Sequence, residues 1–180
     1  MRVITGSARG VRLKTPDGMK TRPTSDRVKE AVFSIVQFEV QGSRFLDLFA
    51  GTGQMGIEAL SRGAASAVFV DEWKDACSLV RENLRLTRLS EHARVVHSNY
   101  LSFLERCREQ FDIVFLDPPY AEIFLENALN KISEIDILSD RGIIICERPA
   151  EKQLDLDIPG LQWCKDYRYG KTWVTVFRKA

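Results

Sequence analysis

Histidine is almost missing from this chain. His92 and His97 are the only two, and the four cysteines (Cys77, Cys107, Cys146, Cys164) lie far apart with no C-x-x-C pair. That combination excludes the usual zinc sites and a disulfide framework, so no metal is expected. The cysteines are expected to be reduced thiols packed as small hydrophobes, which points to a cytoplasmic protein. No apolar run approaches the roughly 20 residues that cross a bilayer, and Met1–Gly6 lacks the apolar stretch of a signal peptide, so neither membrane insertion nor secretion is expected. Repeats and low-complexity segments are also lacking. What remains is 180 residues with 44% hydrophobic content, enough for one domain with a sizeable core.

The net charge of +1 hides an uneven distribution. Residues 1–45 carry nine basic side chains (Arg2, Arg9, Arg12, Lys14, Lys20, Arg22, Arg27, Lys29, Arg44) against four acidic ones. A second cluster, Lys165, Arg168, Lys171, Arg178 and Lys179, closes the chain against Asp166 alone. Basic clusters at both ends of a neutral domain suit an anionic partner, and nucleic acid is the usual one. A solvated basic face is the plain alternative.

Three segments carry candidate chemistry. The apolar run 44–50 reads as a buried strand and passes into Gly51-Thr52-Gly53-Gln54-Met55-Gly56, ahead of a helix containing Ile57–Leu60. Strand, glycine turn and helix start follow one another as in cofactor-binding α/β units. Asp47 lies four positions before Gly51, where a phosphate would gain nothing from a carboxylate but a ligand ammonium would. The next strand, 65–70, ends on Asp71, eighteen residues after Gly53. An acid there suits both hydroxyls of a ribose, and equally suits a cap for the helix beginning near Trp73. Finally, the run 111–116 delivers Asp117-Pro118-Pro119-Tyr120 to a strand's C-terminal end, the edge where open α/β sheets bind ligands. The prolines fix φ and remove two amide donors. A carboxylate, a free carbonyl and a ring together suit a planar group bearing an NH2, such as a nucleobase. A strand-ending turn in which Tyr120 merely packs is the competing reading.

Beyond residue 44 strands and helices alternate: a helix over 72–89, a third strand 93–97, a short helix 100–108, the fourth strand 111–116, a helix 124–132 and a fifth strand 142–147. This rhythm predicts a mostly parallel sheet with helices on both faces. Trp163–Arg168 and Thr172–Phe177, joined by a tight turn, predict a terminal β-hairpin that places an antiparallel strand in the sheet.

Asp47-Leu48-Phe49-Ala50-Gly51-Thr52-Gly53, Asp71, Asp117-Pro118-Pro119-Tyr120 and the closing hairpin together resemble a class I S-adenosylmethionine-dependent methyltransferase. The block Thr21-Arg22-Pro23-Thr24-Ser25-Asp26-Arg27-Val28-Lys29-Glu30-Ala31-Val32-Phe33, with Met1–Gly6 and Leu13–Pro16, is more specific and resembles the ribosomal RNA small subunit methyltransferase D family, across essentially the whole chain. The resemblance implies a Rossmann-like, seven-stranded, mostly parallel sheet in a single domain, with residues 1–43 as a basic RNA-binding extension and 44–180 as the catalytic core. It implies methylation of the exocyclic N2 of a guanine in bacterial 16S ribosomal RNA, with S-adenosylmethionine as cofactor and 16S RNA or the small subunit as partner; a monomer is expected, although the sequence does not itself give the oligomeric state. Asp117, Pro118, Pro119 and Tyr120 are then the catalytic set, and Asp47, Phe49, Gly51, Thr52, Gly53 and Asp71 hold the cofactor. Asn99 stands where many such enzymes carry an adenine-binding Asp, and it serves equally as a helix cap. Arg22, Arg27 and Lys29 are assigned to RNA. Ser25 or Asp26 is expected to cap the helix 28–36, with Val28, Val32, Ile35 and Val36 buried and Arg27 and Lys29 nearer solvent. Glu147 on the fifth strand and Trp73 near the cofactor edge are weaker site candidates and read rather as structural.

The catalytic motif does not separate guanine N2 from adenine N6 in DNA or RNA, since both bases offer an exocyclic NH2. A non-catalytic RNA-binding module is disfavoured by the intact Asp117 and Gly51–Gly53. A nicotinamide oxidoreductase is disfavoured by Asp47, the Asp-Pro-Pro-Tyr element and the hairpin.

Overall fold

The computed structural model describes residues 1–17, 24–119 and 122–180. Among them the chain forms α1 (Asp26–Ile35), β1 (Arg44–Asp47), α2 (Gln54–Ser61), β2 (Ser66–Asp71), α3 (Lys74–Thr87), β3 (Ala93–His97), α4 (Tyr100–Arg106), β4 (Phe111–Leu116), α5 (Glu122–Ile135), β5 (Leu138–Pro149), β6 (Leu161–Tyr169) and β7 (Thr172–Lys179). The strands make one seven-stranded sheet in the order β3-β2-β1-β4-β5-β7-β6. The first five are parallel, and β7 runs antiparallel between β5 and β6.

Side chains along each central strand alternate between two cores. Phe45, Phe69, Ile113, Phe115 and Ile145 face one cluster, which includes Val32 and Phe33 of α1, Ile57 of α2 and Val80 of α3. Leu46, Val68, Val70, Val114, Leu116 and Ile144 face the other, with Leu104 of α4 and Leu129 and Ile132 of α5. Each fully buried side chain of this size contributes roughly 1.5–3 kcal/mol. Two apolar faces are why the strands read as continuous hydrophobic runs.

Local chemistry sets the helix ends. Ser25 caps α1, its Oγ accepting from Val28 N at 3.2 Å. Asn99 caps α4 by accepting from Leu101 N at 2.9 Å. The buried face of α3 is Cys77, Val80, Asn83, Leu84 and Thr87, while Leu86 is 45% exposed.

Residues 1–17 are not a loose appendage. Arg2 and Arg12 form an antiparallel bridge, and Val3, Ala8 and Leu13 join the first core. Glu58 of the fully buried α2 accepts from Ile4 N at 2.9 Å and Thr5 N at 3.0 Å, while Ala8 N donates to Ser61 Oγ at 3.0 Å. The basic segment is therefore fastened across the back of α2.

Candidate active site

The strand order reverses between β1 and β4, so their C-terminal ends flank a crevice, as ligand sites in such sheets do. β1 ends on Asp47, three residues earlier than the apolar run suggests, because Leu48–Ala50 turn out of the ladder toward the glycines. The turn is held by Ala50 N donating to Val70 O at 2.9 Å and Gly53 N to Ala50 O at 2.7 Å. Gly51 and Gly53 adopt φ of 55° and 80°, the left-handed region that favours glycine. Gly56 serves close packing instead: a Cβ there would sit 2.3 Å from the Phe69 ring.

Asp47 is 1% exposed and accepts from Gly56 N at 3.1 Å. Burial pushes its carboxyl up to about 8; the Gly56 N–H opposes that shift and the nearby Asp71 charge adds to it. An acid in this state gains from a cation at its side. Gln54 Oε1, at the start of α2, is buried without a hydrogen-bond partner among the described residues, so a donor-bearing ligand at this turn also suits it. Thr52 shows its hydroxyl to Met1 Sδ at 3.4 Å, and its carbonyl accepts from Asn83 Nδ2 at 3.0 Å. Asp71 uses both oxygens locally: one accepts from Trp73 N and the other from Gly51 N, each at 2.9 Å. The expected helix cap is not formed, since the N-cap of α3 is Trp73 and not Asp71; Asp71 instead holds the turn ahead of the helix, and its bond to the glycine turn is one that sequence reasoning did not foresee. Phe49 is half-buried with its ring centroid 5.1 Å from that of Tyr100. Trp73, read as structural, is 70% exposed beside Asp71 and so is not a core residue.

Asp117 leaves β4 two residues beyond Phe115, the register partner of Asp47. Leu116 pairs with Cys146, so Asp117 and Glu147 emerge side by side from β4 and β5. The buried Thr24 reaches both: its hydroxyl lies 3.0 Å from Glu147 Oε2 and 3.5 Å from Asp117 Oδ2. Burial, then the charges of Glu147 and Asp47, hold the Asp117 carboxyl well above the usual carboxylate range, with the Thr24 hydroxyl opposing. Pro118 and Pro119 line a hollow with Leu125, Glu147, Pro149 and Leu154. A second hollow, which Glu147 also lines, is bounded by Ser25, Arg27, Val28, Tyr169 and Thr172. Arg27, exposed in the first turn of α1, therefore stands at the rim of this strand edge.

Lys29 requires a correction. It is 0% exposed, with Nζ donating to Arg2 O at 2.7 Å and lying 3.6 Å from Glu58 Oε2, while the other Glu58 oxygen pairs with Arg62 Nε at 2.9 Å. One turn of α1 carries Lys29 inward with Val28 and Val32, and the buried carboxylate of Glu58 compensates it. Lys29 fastens α1 to α2 and is not available to RNA. Arg22 and Tyr120 lie outside the described residues. Sequence reasoning missed Thr24 and the placement of Glu147, although Glu147 follows the apolar run of β5 just as Asp117 follows that of β4.

A family model described as Conserved hypothetical protein 95 matches residues 1–178. YlbH of Bacillus subtilis, provisionally named an rRNA methyltransferase, is 40% identical over 99% of both chains. Ribosomal RNA small subunit methyltransferase D of Escherichia coli is 38% identical over 86% of this chain and 77% of its own. The chain belongs to the ribosomal RNA small subunit methyltransferase D family. The solved structure of YhhF from Escherichia coli, provisionally named a methyltransferase, superposes with a TM-score of 0.89 at 34% identity, covering 99% of this chain and 97% of that one. The family's fold, a Rossmann-like methyltransferase sheet closed by an antiparallel hairpin, is the one seen here.

Proposed function

We propose that this methyltransferase transfers the methyl group of S-adenosylmethionine to the exocyclic N2 of a guanine in bacterial 16S ribosomal RNA, within an assembled or assembling small subunit. The observation that carries this reading is the meeting, at the strand-order reversal, of a glycine turn backed by buried Asp47 with the Asp117-Pro118 element. The names of the similar proteins support ribosomal RNA as the substrate class.

S-adenosylmethionine supplies an electrophilic methyl on a sulfonium sulfur. Asp47 would hold its ammonium, Gly51, Thr52 and Gly53 would let it approach the chain closely, with Phe49 alongside, and Asp71 would accept from the ribose hydroxyls. Asn99 accepts from the adenine amino group while still capping α4. The N2 lone pair of guanine is delocalised into the ring, so Asp117 and the Pro118 carbonyl hold the two N2 hydrogens and turn the lone pair toward the methyl. Asp117 would stabilise the positive charge that grows on nitrogen as it takes the methyl, an interaction of the kind worth a few kcal/mol. It then accepts the N2 proton. Pro119 stiffens the turn, and Tyr120 stacks on a base that has left its helix. Arg22 and Arg27 contact RNA phosphates. Two basic patches on a chain this small leave little surface for reading extended sequence, so the shape of the ribonucleoprotein supplies part of the selectivity.

The test is transfer of labelled methyl to naked 16S RNA and to small-subunit particles, with nucleoside analysis and Asp117→Ala as control. N2-methylguanosine on particles, lost in the variant, is the expected outcome. N6-methyladenosine instead would overturn the guanine assignment.

A further inference from the structure

Holding an amine at Asp117 uses one of two carboxylates that the sheet places together. Guanine presents two kinds of donor on the edge that bears N2: the amino group itself and the adjacent N1–H. Adenine presents an amino group beside a bare N1 acceptor. A single carboxylate holding an NH2 does not tell these edges apart. A second acceptor next to it does.

Resting on the guanine reading, we propose that Glu147 is the specificity-determining residue of this site: its carboxylate accepts the N1–H of the target guanine while Asp117 and the Pro118 carbonyl hold N2. Three observations carry this. First, the Leu116–Cys146 register puts Asp117 and Glu147 on adjacent parallel strands at the same height, and both carboxylates come within reach of the one Thr24 hydroxyl. Second, the Thr24 hydroxyl has one hydrogen to give. At 3.0 Å from Glu147 and 3.5 Å from Asp117, it fixes Glu147 and leaves the Asp117 carboxyl for the amine. Third, Glu147 lines both hollows at this edge, one shared with Pro118 and Pro119 and the other with Arg27, so it links the amine-binding turn to the basic rim. Thr24, from the specific N-terminal block, thereby ties that block to the two acids.

An adenine, or any purine whose N1 is unprotonated, would point a lone pair at the Glu147 carboxylate. The mismatch is of the kind that costs roughly tenfold to a hundredfold in discrimination between bases.

The test uses small subunits rebuilt around a ligated 16S RNA bearing either guanosine or 2,6-diaminopurine at the methylated position. Diaminopurine keeps the 2-amino group but its N1 is an acceptor. The wild-type enzyme is expected to prefer guanosine by roughly tenfold to a hundredfold. Glu147→Gln, whose amide presents a donor or an acceptor, is expected to bring the ratio toward one by gaining activity on diaminopurine, a change that damage to the fold does not produce. Glu147→Asp keeps the carboxylate and is expected to keep the preference at a lower rate. An unchanged ratio in Glu147→Gln, or an equal loss on both nucleotides, would overturn the inference while the guanine reading stands. If the wild-type enzyme forms no N2-methylguanosine on the guanosine particles, the guanine reading itself fails and the role of Glu147 falls with it.

Discussion

Replacing Asp47 by Asn tests whether the base of the cofactor site is a strained acid awaiting a cation. Burial raises the Asp47 carboxyl from 3.8 to about 8. The native state therefore holds a proton that the unfolded chain gives up, and stability from this group is complete below pH 3.8 and lost as pH rises to about 8. Every pH unit crossed between those two titrations costs about 1.4 kcal/mol, so between pH 5 and pH 8 the wild-type protein loses roughly 3–4 kcal/mol through Asp47 alone. The asparagine of the variant keeps an oxygen for Gly56 N but does not titrate. Urea unfolding of both proteins at several pH values is the assay. The stability difference should move in favour of the variant by at least that amount across the interval, because the slope due to Asp117, whose carboxyl is raised mainly by burial, remains in both proteins but is lessened in the variant by the missing Asp47 charge. Parallel curves would refute the reasoning. Cofactor binding supplies a second arm. At pH 7 a carboxyl near 8 is about nine-tenths protonated, so docking an ammonium beside it should release up to about that fraction of a proton, visible by calorimetry in buffers of different ionisation enthalpy. The Asn variant should release none from this site and bind roughly tenfold to a hundredfold more weakly, as expected for loss of a charge-assisted contact.

Glu58→Gln leaves the Lys29 ammonium buried with its counter-charge removed and should cost about 3–5 kcal/mol in urea unfolding. Lys29→Met should cost less, since Arg62 and the Ile4 and Thr5 amides still satisfy Glu58, and it should leave the salt dependence of RNA binding unchanged; a reduced slope would restore Lys29 to the RNA interface. Arg27→Ala should weaken RNA binding across sequences and lower the slope of log affinity against log salt by roughly 0.7–0.9, the signature of one lost phosphate contact. An unchanged slope would remove Arg27 from that interface.

Much of the fold was legible because it follows from local pattern. The runs around Phe45, Val68, Val114 and Ile144 are apolar on both faces, which requires a sheet covered on both sides, and β3 and β4 begin and end where their runs do. Tyr169-Gly170-Lys171 between two β-rich segments marked the hairpin. The edge chemistry was legible for the same reason: Asp47, Asp71 and Asp117 each lie in or directly after an apolar run. What local pattern lacks is pairing across distance. Nothing near Lys29 in sequence indicates that a carboxylate on α2 waits for it, and a helical wheel places a lysine outside by default. Thr24 meets Glu147 across 123 positions, a contact set by which strands lie side by side and not by either residue's neighbours. Asp71's bond to Gly51 likewise depends on the turn closing over β2.

The acids at the C-terminal edge share one physical condition. Asp47 and Asp117 are both held up by burial, and each is raised further by neighbouring carboxylates: Asp71 acts on Asp47, while Glu147 and Asp47 act on Asp117. A site built only for stability would not gather like-charged acids around a crevice, because every such rise subtracts from folding at neutral pH. The cost is recovered when positive charge and donors arrive. An ammonium at Asp47 favours the ionised acid and cancels the charge it creates, so Asp117 gains no new repulsion from that side. The sulfonium remains as a second positive charge, and in a site of low dielectric it favours the ionised form of Asp117. Asp117 is then a better acceptor for the N2 hydrogens, and cofactor and base should bind with positive coupling. On the proposed reading, a cofactor that has given up its methyl would carry a neutral thioether and would no longer lend Asp117 that support. RNA particles should therefore bind more tightly in the presence of S-adenosylmethionine than in the presence of its demethylated product, by roughly fivefold or more for a coupling of about 1 kcal/mol. Binding measured with Asp117→Asn should show no difference between the two. Equal affinity for the wild-type protein would break the link between cofactor charge and the ionisation of Asp117.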